Sequence, residues 1–315
     1  MTPNALAGSP DHYLHSFEGA SALIVPMDRA AYHRSIFLDR RIAPAPGLPT
    51  SVAAADLAAA DPAAAPTSWI FHMAHCGSTL LARALDDMAA SLVLREPLAL
   101  RQTALAPDPE RLKLVLAMLG RRYRADAPTL VKANVPVNFL LPEIAAADPA
   151  AGAIMLYLPL RPYLLAILRS AQHRAWLRNV TGQMARALGD LSALSDAERA
   201  AALWRAQMSA FADALSAMPE ARALDAETFF ARPAAVLRAA AARLEVPIAG
   251  PALDAVAAGP LFATYSKDPS QAFDNAARIA RNAATERALA SELDTAEAWL
   301  DRQGGAPSLA RVLDV

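Results

Sequence analysis

Apolar positions in the middle of the chain form short runs that alternate with segments of helical spacing. Residues 68–74, SWIFHMA, have the length of a buried strand, and residues 80–89, LLARALDDMA, have helical periodicity. Strand-like runs recur at residues 91–96, 129–135 and 153–160. Strands that alternate with helices predict an α/β fold in three layers, with a mostly parallel central sheet covered by helices on both faces.

The second half of the chain is predicted to be rich in helix. Residues 163–217 and 232–244 have helical patterns, and residues 221–228 can form a fifth strand between them. Residues 259–275 are predicted to be an irregular loop, a kind of segment that often carries function.

The N-terminal part has a weaker pattern. A short strand signal is followed by a mixed apolar and basic segment in residues 21–43, and residues 44–66, rich in Pro and Ala, have the composition of a linker. We therefore expect residues 1–66 to be a lead-in and linker packed on the core, and residues 67–315 to be the main domain. Residues 121–124 hold three arginines at a predicted helix end, where a solvated face is expected.

Composition narrows the class of protein. The 315 residues carry 30 Lys plus Arg against 31 Asp plus Glu, so we expect no nucleic-acid partner. Every apolar run is broken well before about 18 residues, so no membrane segment is expected. Cys76 is the single cysteine and the first ten residues do not resemble a signal peptide, which together favour a cytoplasmic protein. A homo-oligomer remains open.

The turn after the first predicted buried strand holds the sequence His75-Cys76-Gly77-Ser78-Thr79. A glycine and two hydroxyl residues between a strand and a helix can hold phosphate groups, which predicts a P-loop fold. The alternative is an ordinary turn with Ser or Thr as the helix cap. A Walker A loop needs an earlier glycine and a lysine that are absent, and no Asp follows the fourth strand to hold magnesium, so an ATP or GTP hydrolase is disfavoured.

Four segments resemble the P-loop sulfotransferases, including the bacterial sulfotransferase-like members, in the same order along the chain. Residues 75–85, HCGSTLLARAL, are similar to the 5′-phosphosulfate loop, and residues 131–142, VKANVPVNFLLP, resemble the V-K-T-H-L-P segment of the cytosolic enzymes. Residues 156–170 resemble the strand, Arg and Ser that bind a 3′-phosphate, and residues 264–278 resemble the late basic loop. Residues 67–315 are therefore similar to a sulfotransferase domain.

The resemblance implies a donor, an acceptor and a set of residues. The donor would be 3′-phosphoadenosine 5′-phosphosulfate, the acceptor an unidentified hydroxyl compound, and no metal would take part. Arg161 with Ser170 and Lys267 would bind the 3′-phosphate. The loop residues that would bind the 5′ end of the donor are His75, Cys76, Gly77, Ser78, Thr79 and Leu80.

The chain departs from the family pattern at three places. His75 stands where the family has Lys or Arg, so Lys132 or Lys267 can supply the missing cation. Asn134 stands where the cytosolic enzymes have their catalytic His. The spacing from Arg161 to Ser170 is one residue longer than usual.

Glu96 is the predicted base, since it follows the second strand as the catalytic Glu does in the tyrosylprotein branch of the superfamily. Together with His75 and Lys132 it makes up the predicted catalytic set. The alternative is that Glu96 pairs with Arg95 or Arg101.

Two other functions remain open at this stage. One is a P-loop kinase that acts on a small molecule, and the other is a sulfotransferase-like protein that binds nucleotide without turnover. His72 is expected to be a core residue, and Cys76 a structural or donor-contacting thiol.

Overall fold

A computed structural model describes residues 1–63, 65–266 and 268–315. The strands are β1 His12–Glu18, β2 Ser21–Pro26, β3 Thr50–Ala53, β4 Thr67–His72, β5 Val93–Arg95, β6 Thr129–Lys132, β7 Ala153–Tyr157, β8 Ala221–Asp225, β9 Thr264–Tyr265 and β10 Asp268–Ala272. The helices are α1 Pro3–Ala7, α2 Arg29–Arg34, α3 Ala54–Ala59, α4 Ser78–Ala84, α5 Leu98–Leu105, α6 Pro109–Leu119, α7 Leu141–Ala147, α8 Leu160–Leu168, α9 Ala171–Gln183, α10 Ala185–Leu188, α11 Asp196–Ala217, α12 Ala226–Ala231, α13 Pro233–Arg243, α14 Gly250–Ala257, α15 Asn275–Ala288 and α16 Ala290–Arg302, with a 3-10 helix at Val135–Leu140.

The central sheet has the strand order β5-β6-β4-β7-β8, and all four pairs are parallel. From β4 the chain passes beyond the position of β6 to the edge strand β5, and it then returns to β6. From β6 it passes β4 to reach β7 on the other side. Because such crossovers are right-handed, the two directions place their helices on opposite faces of the sheet. The loop after β4 therefore lies where the winding reverses, the usual position of a ligand crevice. The predicted fold class is confirmed.

Burial explains why the central strands read as continuous apolar runs. Every residue of β4 is buried, with the Trp69 and Phe71 rings stacked at 5.4 Å. Helix α14 packs on both α4 and α13, while α11 packs on both α7 and α8. Helix α11 begins with a capping box in which Ser195 and Glu198 bond each other's backbone N–H groups. Among the helices of the described residues, none is long and apolar enough to cross a membrane.

The N-terminal region is more ordered than its composition suggests. Strands β1, β2 and β3 form an antiparallel sheet, and β1 packs against α5 and α6. The expectation of a linker over residues 44–66 is wrong for β3 and α3. Strand β3 alternates between half-buried and exposed positions and α3 buries only Leu57, so neither element shows a strong apolar signal.

The C-terminal half is helical, as predicted, but the long segment 163–217 is divided into separate helices. Ser170 caps the start of α9, and Gly189 follows α10 with φ of +74°. The loop predicted over residues 259–275 contains a short antiparallel hairpin of β9 and β10. Lys267, one of the predicted donor ligands, lies outside the described residues.

Candidate functional site

The loop between β4 and α4 contains two residues with left-handed backbone conformations. His75 has φ of +62° and Gly77 has φ of +84°, in the left-handed region that favours glycine. A Cβ atom on Gly77 would lie 2.9 Å from Cζ of Phe230, so a side chain there would force the Phe230 ring to shift. Gly77 is itself the cap of α4. The alternative in which Ser78 or Thr79 caps the helix does not occur, because both lie inside its first turn.

Two buried polar atoms near this loop lack a hydrogen-bond partner among the described residues. They are Oγ1 of Thr79, on the first turn of α4, and Oδ1 of Asn134, just beyond β6. A buried polar atom without a partner costs about 1–3 kcal/mol, and native structures contain few of them. Both residues line the same cavity. A ligand that supplies hydrogen bonds there would remove this cost.

The cavity has a volume of about 710 Å³ and lies at the carboxyl ends of the central strands. Its floor is the β4–α4 loop. Glu96 and Asn134 line it from the ends of β5 and β6, Trp176 from α9, and Tyr265 from the hairpin. A cavity of this size holds a nucleotide-sized molecule. In the described part of the chain, no group of three or more His, Cys, Asp and Glu side chains is placed to hold a metal ion.

Glu96 and Lys132, two of the predicted catalytic residues, are in direct contact. The Lys132 ammonium is completely buried and donates to Oε1 of Glu96. Glu96 has φ of +58°, an unusual conformation for a residue with a side chain, and its N–H donates to O of Lys132 at 2.8 Å. The arginines of the alternative reading have other partners, since Arg95 donates to Asp86 and Arg101 donates to Gln183.

A segment of the N-terminal region forms the wall next to Glu96. Leu38 donates its N–H to O of Arg95 at 2.7 Å, which holds this segment against the end of β5. Arg41 binds Asp39 through two hydrogen bonds of 2.9 and 2.5 Å, and its guanidinium lies 3.9 Å from the centre of the Phe37 ring. Phe37, Asp39 and Arg41 all line the cavity.

The Asp39 carboxyl is partly buried, which opposes ionisation, but the hydrogen bonds from Arg41 outweigh this effect and lower its pKa. Asp39 and Arg41 therefore form a neutral pair of opposite charges. No sequence pattern predicted these wall residues, because the contact of Leu38 with Arg95 joins segments far apart in the chain.

The three side chains His72, His75 and Cys76 have different environments. Both ring nitrogens of His72 contact carbonyl oxygens, Nδ1 to Met73 at 2.7 Å and Nε2 to Ala133 at 2.8 Å. Cys76 is fully buried and its thiol donates to O of Met73 at 2.9 Å, which fits a structural role. His75 faces the cavity, and its ring centre lies 4.2 Å from that of His173.

Two of the three residues predicted to bind the 3′-phosphate, Arg161 and Ser170, are not brought to the cavity. Arg161 is half-exposed and pairs with Glu286 and Glu297. The Ser170 hydroxyl accepts from N of His173 at 3.2 Å and caps α9. Neither side chain lines the cavity. The expected assignment of these two residues has no support from their positions.

Two other arginines lie in the cavity wall instead. Arg169 follows α8, and Arg281 on α15 donates to the Tyr265 hydroxyl at 2.7 Å. Burial lowers the pKa of Arg169, and the positive charge of Arg281 lowers it further. No carboxylate of the described residues forms an ion pair with either side chain. By contrast, Arg278 in the same wall is neutralised by Glu227 through two hydrogen bonds. Sequence reasoning missed Arg169, although it directly precedes Ser170.

The chain is similar to a solved sulfotransferase structure, at low sequence identity. No family model matches the chain, and no curated protein matches it. Among solved structures, a sulfotransferase domain from the curacin biosynthetic pathway is similar at 15% sequence identity and a TM-score of 0.42. The match covers 67% of this chain and 84% of that domain. At this level of similarity, function has to be inferred from the cavity and the sequence motifs.

Proposed function

We propose that the protein is a sulfotransferase, which moves a sulfuryl group from 3′-phosphoadenosine 5′-phosphosulfate to a hydroxyl acceptor. The observation that carries the proposal is the unpartnered, buried hydroxyl of Thr79 on the loop that resembles the 5′-phosphosulfate loop. That loop opens into the cavity that also contains Glu96. A phosphate or sulfate oxygen accepts hydrogen bonds and would satisfy Oγ1 of Thr79.

The reaction needs a base on one side of the sulfur and a cation on the other. Glu96 takes the proton of the acceptor hydroxyl as the acceptor oxygen bonds to sulfur. The bond from sulfur to the bridging oxygen breaks, and its electron pair leaves with adenosine 3′,5′-bisphosphate. Lys132, buried beside Glu96, holds the Glu96 carboxylate in position. His75 on the β4–α4 loop stabilises the negative charge that develops on the leaving oxygen. Both reactants are held in one cavity, which makes the transfer effectively unimolecular.

The 3′-phosphate is assigned to Arg169 and Arg281 rather than to Arg161 and Ser170. Two neighbouring guanidinium groups without a carboxylate partner repel each other, and a phosphate would neutralise both. Their position in the cavity wall, between the hairpin and the end of α8, supports this assignment. Asn134 replaces the histidine of the cytosolic enzymes and, as an amide, positions a ligand without accepting its proton.

The test is thermal denaturation of the metal-free protein with adenosine 3′,5′-bisphosphate, compared with ATP and magnesium. A ligand that binds only the native state raises the melting temperature. We expect the bisphosphate alone to raise it. A response only to ATP with magnesium would identify a kinase instead, and no response to either would overturn the donor assignment.

A substitution at Thr79 locates the effect at the loop. In Thr79→Val the unpartnered hydroxyl is replaced by a methyl group of similar volume, so the ligand-free protein should melt no lower than the wild type. Its response to the bisphosphate should be lost. Thr103→Val is the matched control, because Thr103 is also buried in a helix but donates to O of Ala99 at 2.9 Å. This variant should melt lower and keep its response.

A further inference from the structure

His75 and His173 form a close pair of imidazole rings at the mouth of the loop. Their centres lie 4.2 Å apart with 37° between the planes, and the ring of Trp176 meets His75 edge-on at 6.1 Å. His75 belongs to the loop itself, and its backbone is strained, with φ of +62°. All three residues line the cavity. His173 was not among the residues that the sequence predicted for the site.

The hydrogen bonds of His173 determine which nitrogen can take up a proton. Its Nδ1 lies 2.7 Å from O of Ala166, and because a carbonyl oxygen only accepts, Nδ1 carries a hydrogen. Protonation of this ring therefore occurs at Nε2. Imidazole has a pKa of about 6.5 in model peptides, so histidine is the side chain whose charge a bound anion can most easily change near neutral pH.

We infer that His75 and His173 act as one proton-accepting pair, which becomes positively charged when an anion binds at the loop. The pair would replace the permanent Lys or Arg charge of similar loops. Two adjacent imidazolium groups repel each other, so the pair resists full protonation while the cavity holds no anion. A bound anion compensates that charge and favours proton uptake. The identity of the anion as the sulfate donor rests on the proposed function.

Other charged groups in the cavity affect how easily the pair takes up a proton. Glu96 and Asp39 both line the cavity, but each contacts its own cation, Lys132 and Arg41 respectively. Arg101, Arg169 and Arg281 add positive charge to the same cavity.

On the outer side of α9, the carboxylates are paired as well. Arg174 binds Glu292, and Arg178 binds Asp196 of α11. Among the described residues around the pair, positive groups without a carboxylate partner therefore outnumber negative groups without a cationic partner. This charge favours neutral rings in the free protein and makes proton uptake depend on the anion.

The sign of the pH dependence follows from this linkage. Anion binding raises the proton affinity of the pair, so binding is strongest at low pH and weakens as pH rises through the range of the bound pair. We expect the affinity of the wild type to fall about tenfold more between pH 6 and pH 8 than that of a variant without the pair, the change expected for one linked proton over about one pH unit.

The experiment is isothermal titration calorimetry with adenosine 3′,5′-bisphosphate at pH 6, 7 and 8, in buffers of different ionisation enthalpy. Such data give the number of protons taken up on binding. His173→Asn is the main variant, because the asparagine Nδ2 can keep the hydrogen bond to Ala166 while losing the titration. The protons that the ligand itself takes up are the same for every variant and cancel in the comparison. His12→Gln, in β1, is the control.

The variants test the histidine pair separately from the identity of the donor. We expect more proton uptake by the wild type and the control than by His173→Asn. His75→Lys should bind more tightly than the wild type at pH 8, with less pH dependence. Equal proton uptake by the wild type and His173→Asn would overturn the inference.

If the bisphosphate does not bind, the same titration with inorganic pyrophosphate decides the matter. Extra proton uptake by the wild type with this probe would support the pair while the donor assignment fails. Absence of binding by both probes would overturn both.

Discussion

The two ends of the cavity differ in whether their charged side chains form ion pairs. At the end near β5, positive and negative groups are already joined, Glu96 to Lys132 and Asp39 to Arg41. At the end near α15, Arg169 and Arg281 lie close enough for one charge to lower the pKa of the other, and the described residues supply no carboxylate to either. One end is electrostatically complete and the other lacks negative charge.

The difference indicates what each end is built to receive. A paired end gains little from an incoming charge, so it suits a neutral molecule such as a hydroxyl acceptor whose proton is removed during reaction. An unpaired cationic end is destabilising until an anion arrives, a common cost at binding sites. The proposed reaction needs this asymmetry, because its donor carries several negative charges and its acceptor hydroxyl carries none.

The largest expected effect comes from the paired end. Glu96→Gln keeps a hydrogen-bond acceptor for Lys132 but removes the base, so sulfuryl transfer should fall by about 10²–10⁴-fold. Binding of adenosine 3′,5′-bisphosphate should be almost unchanged. The measurement is consumption of the sulfate donor with a panel of phenols, alcohols and sugars as acceptors.

Glu143→Gln is the control, since Glu143 is exposed on α7 and does not line the cavity. It should retain wild-type activity. Transfer by Glu96→Gln at the wild-type rate would mean that another group is the base.

The next effect concerns what holds the paired end in place. Asp86 is buried and binds Arg95 at 2.5 Å and Arg29 at 2.6 Å, and so joins the residue before Glu96 to the N-terminal region. Asp86→Asn should lower the free energy of unfolding at pH 7 by about 3–5 kcal/mol, because it leaves buried guanidinium charge uncompensated. Urea denaturation measures this loss.

The effect of Asp86 should depend on pH in a defined direction. Burial opposes ionisation, but hydrogen bonding to His33 and the charges of Arg95 and Arg29 outweigh it and lower the pKa of Asp86. A lowered native pKa stabilises the fold above the unfolded value of about 3.9 and loses that effect as pH falls through the native pKa. The difference between wild type and Asp86→Asn should therefore shrink below about pH 4. Asp87→Asn, at an exposed neighbour without an ion pair, should show neither effect.

The smallest of these effects tests the unpaired end. Arg169→Gln should weaken bisphosphate binding by about 10–100-fold, the value of a hydrogen bond to a charged group. The ligand-free variant should melt at the same temperature or slightly higher, since a repulsion is removed. Arg161→Gln breaks two exposed ion pairs and should bind within about twofold of the wild type. The reverse ranking in a calorimetric titration would return the 3′-phosphate to Arg161.

Strong local patterns explain which elements were predicted well. Strands β4, β6 and β7 are buried on both faces, so their sequences are apolar runs. Gly77 lies in the short loop after β4. Strand β3 and the hairpin of β9 and β10 are short and partly exposed, so their sequences carry little periodicity. The segment with three arginines, residues 121–124, was expected to be a solvated face, and this expectation is wrong for Arg121.

Arg121 is buried and donates to carbonyl oxygens of Leu6, Ser9 and His12, and burial lowers its pKa to about 10.

The sequence alone determined the α/β class, the loop around Gly77 and the position of Glu96 at the end of a neighbouring strand. These features depend on local pattern and on the rule that parallel strands end at one edge. Tertiary structure alone decided that Arg169 and not Arg161 faces the cavity, that Phe37, Asp39 and Arg41 form its wall, and that His173 meets His75. Such contacts join residues far apart in the chain, and which way a side chain points from a helix depends on how that helix packs.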